Sequence, residues 1–149
     1  MKKLKNLREY LLANIPTLNQ DPERLLIFAD KGKVVSNSLS LSFEYDYTVN
    51  LIVTDFAGDT DTVMVAVLAW YKQHQQDKAF PCNIEFEADI LNHQAVDLSL
   101  KLPLSERVIV TKDAEGNITD MHHCDEPVMD TEIINWPANL IINGEVPTP

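Results

Sequence analysis

The residues whose types and spacing could support chemistry lie in an acidic turn, VTDFAGDTD, which holds Asp55, Asp59 and Asp61. Carboxylate oxygens are the ligands that Mg²⁺ and Ca²⁺ prefer, so such a turn could hold a divalent ion for hydrolysis. The calcium-loop pattern is excluded because the sixth residue counted from Asp55 is Thr60, where that loop requires glycine. A small metal-dependent hydrolase that uses the Asp55–Asp61 turn is therefore one hypothesis, with Mg²⁺ as its ion.

A structural interpretation of the same turn competes with the catalytic one. Asp59 and Asp61 stand where a segment with helical patterning begins. A side-chain acceptor and negative charge both stabilise a helix N-terminus. The turn also lacks an accompanying phosphate-binding glycine loop. The sequence favours this second interpretation, in which the carboxylates cap a helix.

Other polar groups give weaker signals for chemistry. His122 and His123 are adjacent, and neighbours on a strand point to opposite faces, so they are poorly placed to chelate one ion and are expected to be exposed polar residues near a turn. Neither zinc-type cysteine or histidine spacing nor a G-x-S-x-G motif occurs. Glu85 and Glu87 share the polar face of a predicted strand, which is typical of a solvated face. We therefore expect no catalytic residue, no metal ligand and no cofactor, and we predict that the protein is not an enzyme.

Composition narrows the function classes further. The chain has 149 residues and a net charge of −11, so its surface repels free nucleic acid. Acidity is concentrated in residues 113–149, which hold eight acidic residues and no Lys or Arg. Cys82 and Cys124 make no disulfide framework, which suits a reducing cytosol. The longest apolar run, Val63 to Tyr71, is shorter than the about 20 residues that cross a bilayer, so we expect no membrane contact.

The elements that position these residues follow from hydrophobic periodicity. Helical spacing of leucines predicts an amphipathic helix over 3–15, and strict alternation predicts a long strand from Leu41 to Val53 that should bend or project beyond its sheet. A helix is predicted over 60–76. Further strands are predicted at 24–29, 34–35, 82–90, 96–102, 107–111, 118–122 and 140–142, with turns at 30–32 and 113–117 and a strand end at Pro103. This order predicts an α+β single domain whose largely antiparallel or mixed β-sheet is packed by two main helices. Within that domain we expect a compact core at 1–112 and an acidic, proline-containing C-terminal hairpin or arm at 113–149.

The helix predicted over 60–76 is apolar on every side between Val63 and Tyr71. A helix that faces water shows an apolar stripe rather than a full ring, so this helix should be covered by more than its own sheet. The stripe most suited to the core comprises Val63, Val67, Trp70 and Tyr71. Met64, Val65 and Leu68 lie partly off that stripe and are the candidate oligomer contacts.

Several quoted blocks carry a resemblance to a known family. LSFEYDYTVNLIVTDFAGDTD, followed by VAVLAW and YKQHQ, resembles the central signature of the tail completion protein R family (GpR) of contractile-tailed temperate phages and related prophages. The upstream LLIFADKGKV and the downstream LSLKLPLSERVIV resemble it as well. The resemblance covers roughly residues 20–112, and INGEV is similar to the family's ending.

The resemblance implies a structural role in virion assembly, with a fold similar to that of tail terminators. A protein of this kind caps the head-proximal end of the tail tube and helps to form the head–tail junction. The implied partners are other copies of the chain in a homohexameric ring, the tail tube protein, the head-proximal connector or neck proteins, and the sheath end. DNA would pass through the ring without being specifically bound. The implied location is the bacterial host cytoplasm during assembly and then the virion tail and neck.

Overall fold

A computed structural model describes residues 1–36, 39–78, 81–92 and 94–124. Its main elements are the helices α1 (Lys2–Asn14), α2 (Pro16–Gln20) and α3 (Thr60–His74), and the strands β1 (Leu25–Val35), β2 (Phe43–Phe56), β3 (Glu85–Asn92), β4 (Ala95–Lys112) and β5 (Ile118–His123). Short 3₁₀ turns occupy Pro22–Arg24 and Gln76–Lys78. None of the described helices is long and apolar enough to cross a membrane.

The strands form one antiparallel sheet in the order β1-β2-β4-β3, with β5 pairing the far end of β4. Both β3 and β5 lie on the side of β4 that faces away from β2. β3 pairs with the first part of β4, which ends at Lys101, and β5 pairs with its last part, which begins at Val108. The outer edge of β4 therefore has no partner strand between these two pairings, over residues 102–106, and the Arg107 carbonyl accepts from the Cys124 N–H at 2.9 Å.

The helices α1 and α3 cover one face of the sheet. Leu7 and Leu11 of α1 and Val63, Val67 and Trp70 of α3 are fully buried against the sheet. The strands contribute Leu25, Val49, Leu51, Val53, Leu98, Leu100, Leu102 and Leu104, all of them buried. These leucines and valines alternate along their strands, as period-2 patterning requires. The α+β fold with two main helices is confirmed.

Hydrogen bonds define the ends and the neighbours of the helices. α1 ends as predicted where Pro16 begins the next helix. The Trp70 indole N–H donates to Asn6 Oδ1 at 2.7 Å, which ties α3 to α1 inside the core. The Trp70 ring also stacks on His74 with centroids 4.7 Å apart. The two helices therefore form a single layer with a fixed relative position.

Two predicted chain breaks are wrong, because the strands run through them. The residues predicted as a turn at 30–32 lie inside β1, where the register against β2 shifts between Ala29 and Lys31. This is a β-bulge, which kinks a strand without ending it. A Cβ on Gly32 would lie 2.9 Å from Tyr47 Cβ, so this glycine serves a close approach between strands rather than a turn.

Pro103 is the second predicted break, yet β4 runs through it as one strand of 18 residues, Ala95–Lys112. The Tyr71 hydroxyl donates to the Pro103 carbonyl at 2.6 Å, from outside the ladder with β2. The N and C=O of one strand residue point to the same edge, so the nitrogen of Pro103 also faces the bare edge of β4. No ladder hydrogen bond is lost there, and proline is tolerated at such an edge.

The predicted turn at Asp113 and its return strand are confirmed. Asp113 Oδ1 accepts hydrogen bonds from the backbone N–H groups of Glu115 and Asn117 at 3.0 and 2.8 Å. Gly116 adopts a φ of +87°, which suits glycine. β5 then pairs back along β4 as far as His123. The rest of the predicted acidic arm and the strand predicted at 140–142 lie outside the described residues.

Candidate assembly surfaces

The acidic turn is built as a helix cap. Asp59 is the N-cap of α3, and its Oδ1 accepts from the Asp61 backbone N–H at 3.0 Å. Asp55 belongs to a separate arrangement, since its carbonyl accepts from Arg24 Nη1 at 2.9 Å and its N–H donates to Asp97 Oδ1 at 2.7 Å. Within the described ranges no three Asp, Glu, His or Cys side chains converge to hold a metal ion. This geometry supports the structural interpretation, and nothing in it supports the hydrolase alternative.

The bare edge of β4 is filled by side chains from the helices. Gln75 Oε1 accepts from the Ser105 N–H at 3.0 Å, and Lys3 Nζ donates to the Ser105 carbonyl at 2.7 Å. Lys3 Nζ also donates to Gln75 Oε1 at 2.8 Å. Lys3 of α1 and Gln75 at the end of α3 therefore bind each other and the backbone of Ser105. Gln75 is fully buried and Ser105 is 6% exposed. The backbone groups that a missing strand would have paired are thereby satisfied, as burial demands.

Glu106 is a buried carboxylate beneath the start of α1. It is 5% exposed, and its Oε1 accepts from the Lys2 backbone N–H at 2.8 Å. The Tyr47 hydroxyl donates to its Oε2. Burial, together with the Glu106 carboxylate, raises the pKa of Tyr47. An acceptor and a negative charge at this position stabilise the first turn of α1.

His123 differs from the prediction that both histidines are exposed polar residues. His122 is exposed and pairs with Ile109, whereas His123 pairs with Val108 on the opposite, helix-covered face. Its Nδ1 lies 3.4 Å from Glu106 Oε1. The two histidines are separated as predicted, but His123 adjoins the buried carboxylate.

Sequence reasoning missed the buried group formed by Glu106, Tyr47, Gln75 and Ser105. One signal was present, because Glu106 interrupts the alternating apolar row of Leu102, Leu104 and Val108. A charge at a core position is retained when partners satisfy it. The arrangement locks the helices to the sheet.

The outer face of α3 is only partly covered by the rest of the chain. Val65 is 50% exposed, and Met64 and Leu68 are half-buried. Met64 packs against the edge of the core. The apolar side chains of this helix are therefore buried on the side that faces the sheet and partly exposed on the side that faces away from it. Whether Met64, Val65 and Leu68 contact another copy stays a prediction.

The edge strand β3 has an apolar face that the helices leave uncovered. Phe86 and Ile90 are 58% and 76% exposed, although their alternation with Glu85, Glu87 and Asp89 matches the prediction of a two-faced strand. Phe86 pairs with Leu100, so it points to the same side of the sheet as the core. The helix layer stops short of β3 within the described part of the chain, and its apolar face is a second candidate contact surface.

The face of the sheet opposite the helices is polar over its centre. Asn50 pairs with Lys101, which pairs with Glu85, and these side chains point away from α1 and α3. Asp97 and Asp89 pair with each other farther along. Leu26 and Phe28 on β1 add an apolar margin, at 51% and 43% exposure.

Comparisons with known proteins agree with this structural picture. The family described as P2 phage tail completion protein R (GpR) matches residues 1–127. The "Tail completion protein R" of Escherichia phage P2 is 38% identical to this chain over 153 aligned residues, which cover 98% of this chain and 96% of the relative. No solved structure matches significantly.

Proposed function

The chain belongs to the P2 phage tail completion protein R (GpR) family, and from this membership we propose that it caps the head-proximal end of the tail tube and helps to form the head–tail junction. The observation that carries the proposal is the full-length match to a tail completion protein at 38% identity. At that identity over nearly the whole chain, the two proteins share one fold and one general role. The role is structural, in the virion tail.

The proposed working form is a ring of six copies. Uncovered apolar surface on α3 and β3 supports association, because large exposed apolar patches mark contact sites. Val65 and Phe86 are each at least half exposed on the helix side of the fold. A closed ring requires a contact between two different patches of adjacent copies. Met64, Val65 and Leu68 are proposed members of one such patch.

The proposed partners beyond the chain itself are the tail tube protein, the neck or connector proteins and the sheath end. Residues 113–149 form the proposed C-terminal arm of the domain, and their acidity suits contact with a basic partner surface. We propose that assembly takes place in the host cytoplasm, before the tail joins the head. No catalytic step is assigned to the protein.

DNA would pass through the ring without specific binding. Across β1 to β4 the helix-free face of the sheet carries the acids Glu44, Asp46, Glu85, Glu87, Asp89 and Asp97 and the bases Lys31, Lys33, Lys101 and Arg107, so it is net acidic. Such a face repels phosphate and so suits the wall of a channel that DNA must traverse. The net charge of −11 per copy acts in the same direction.

The decisive experiment is the solution mass of the purified protein by light scattering, over a range of concentration and salt, alone and with tail tubes. A species of six times 16.9 kDa that binds tube ends supports the proposal. Electron microscopy of tubes with and without the protein would locate it. A protein that remains monomeric alone and fails to bind tube ends would refute the proposed role.

A further inference from the structure

The two outer edges of the sheet carry opposite charge. β3 presents Glu85, Glu87 and Asp89 with no Lys or Arg between Glu85 and Asn92. β1 presents Lys31 and Lys33, which Asp30 in the bulge partly offsets. Pairing with β4 and β2 places the three acids of β3 and both lysines of β1 on the helix-free face. The charges of the two edges therefore lie on the same side of the sheet.

Both edges have unused backbone pairing capacity. Within the described residues β1 pairs only with β2, and β3 only with β4, so each has one strand edge without a partner strand. On β1 the start of that edge is occupied, because the Leu25 carbonyl accepts from Arg8 Nη1 at 2.6 Å. An open strand edge is a template for another strand, and proteins usually cover it or protect it with charge. Every residue of β3 is exposed. An eight-residue strand with Phe86 and Ile90 on one side needs a partner that covers both its backbone and its apolar side.

A second β3 strand fits this edge poorly. Pairing β3 with β3 would place Glu85, Glu87 and Asp89 against the same acids of the other copy. Like charges directly opposite destabilise a strand pair. The acids thus disfavour a symmetric dimer through β3 and favour a basic strand.

The geometry of the sheet suits β1 of a neighbouring copy. β1 and β3 run in opposite directions within one sheet, since three antiparallel pairings separate them. In a closed ring the strands tilt against the axis, and adjacent copies meet with a stagger along the strands. The rotation from one copy to the next preserves strand direction, so β3 of one copy would meet β1 of the next as an antiparallel pair. Within one copy Lys31 and Lys33 lie level with Pro103 and Ser105, whereas Glu87 and Glu85 lie level with Ser99 and Lys101. A stagger of about four residues therefore sets Glu87 against Lys31 and Glu85 against Lys33. Such a contact joins two different edges and repeats around a ring.

We propose that β3 of one copy pairs with β1 of the next, so that the sheet continues from copy to copy, with the β3 acids against Lys31 and Lys33. This inference rests on the proposed ring and specifies its contact. The Lys33 side chain is 71% exposed, and its Nζ lies 3.9 Å from Asp46 on the neighbouring strand β2, a distance that leaves it accessible to a neighbour.

The helix layer continues in the same arrangement. Phe86 and Ile90 of β3 form an apolar floor beside α3. By helical phase, Met64 and Leu68 lie on the flank of α3 opposite Trp70, whose indole contacts α1. α1 lies beside β1 in its own copy. A neighbour that adds its β1 would bring its α1 over this floor. The candidate oligomer contacts of α3 and the uncovered side of β3 then belong to one interface.

The test exchanges charge between the two edges. Lys31→Glu with Lys33→Glu makes both edges acidic, and Glu85→Lys with Glu87→Lys makes both edges basic. Each pair of substitutions should convert the oligomer into monomers of 16.9 kDa at low salt. The fourfold variant, in which the charges are reversed on both edges, should recover the oligomer. Circular dichroism of each variant confirms that the monomers are folded.

Matched controls separate the edge contact from net charge. Glu115→Lys with Asp120→Lys, on the exposed β4–β5 hairpin, makes the same charge change as Glu85→Lys with Glu87→Lys. This control should leave the mass of the oligomer unchanged. An oligomer that survives both edge variants would overturn this contact while leaving the ring itself intact. A monomeric wild-type protein would instead refute the ring, and a fourfold variant that stays monomeric would refute the pairing of these two edges.

Discussion

The Tyr47 hydroxyl donates a hydrogen bond to Glu106 beneath the first turn of α1. Tyr47 lies on β2 and Glu106 on β4, and the same carboxylate accepts from the Lys2 backbone N–H. One buried side chain therefore links two strands and the N-terminus of a helix. The link is satisfied on every side, which is the condition under which a buried carboxylate is tolerated.

Loss of the Glu106 carboxylate should destabilise the protein. Glu106→Ala leaves the buried Tyr47 hydroxyl without its acceptor, which costs about 1–3 kcal/mol. It also removes the acceptor of the Lys2 N–H at the exposed start of α1, which adds a smaller loss. Glu106→Gln keeps one acceptor oxygen and should cost less. Urea denaturation of both variants measures the difference. Equal stability of Glu106→Ala and the wild type would contradict this account of the α1 N-terminus.

Stability should fall at alkaline pH. Burial raises the pKa of Tyr47 and of Tyr71 above the ordinary value of 10.0. Above that pH the unfolded chain releases both phenol protons while the folded chain retains them, so the free energy of unfolding decreases as pH rises. Below it the contribution is fully present.

Urea denaturation between about pH 8 and pH 11 measures this slope. Tyr71→Phe removes one of the two phenols and should flatten the slope, at a cost of about 1 kcal/mol at neutral pH for the lost bond to the Pro103 carbonyl. An unchanged slope in this variant would show that the Tyr71 hydroxyl is not held protonated by the fold.

Gly32→Ala should be disruptive although Gly32 is exposed. The added Cβ would lie 2.9 Å from Tyr47 Cβ, so β1 or Tyr47 must shift. Overpacking of this kind costs about 1–3 kcal/mol. Lys112→Ala, at an exposed strand position of β4, is the matched control and should change unfolding free energy by less than about 0.5 kcal/mol. If the two variants are equally stable, the close approach at Gly32 is not a constraint.

The sequence predicted the elements that periodicity controls and missed features that depend on tertiary partners. Alternation located β2 and β4, and helical spacing located α1 and α3. Pro103 was interpreted as a strand end because its missing N–H is usually costly, yet the bare edge of β4 makes that N–H unnecessary. Gly32 indicated a turn because nothing in the sequence shows that Tyr47 lies against it.

The candidate sites divide in the same way. The cap at Asp59 was predictable because its partner, the Asp61 N–H, is two residues away. The role of Asp55 was not, since its partners Arg24 and Asp97 lie 31 and 42 residues distant in sequence. The buried Glu106 needed the start of α1, 104 residues away, to explain it.

Substitutions in the acidic turn distinguish a helix cap from a metal-binding site. Asp59→Ala removes the acceptor for the Asp61 N–H and should cost about 1 kcal/mol. Asp61→Asn keeps that backbone N–H and is the matched control, with a smaller loss that reflects charge at the helix N-terminus. Mg²⁺ or Mn²⁺ should leave the melting temperature of the wild type unchanged. A metal-dependent rise in melting temperature that both substitutions abolish would revive the hydrolase hypothesis.

The outer face of α3 should matter for assembly and not for folding. Val65 is 50% exposed in the single chain, so Val65→Asp removes little buried apolar area and should change unfolding free energy by under about 0.5 kcal/mol. In an interface the same charge would be desolvated without a partner, and the oligomer should weaken. Light scattering gives the mass, and binding to tube ends gives the function. Ile118→Asp on β5 is the control, because Ile118 has a similar exposure of 53% but lies away from α3. An oligomer that persists in Val65→Asp, with Ile118→Asp disrupting it, would move the interface from α3 to the β4–β5 hairpin.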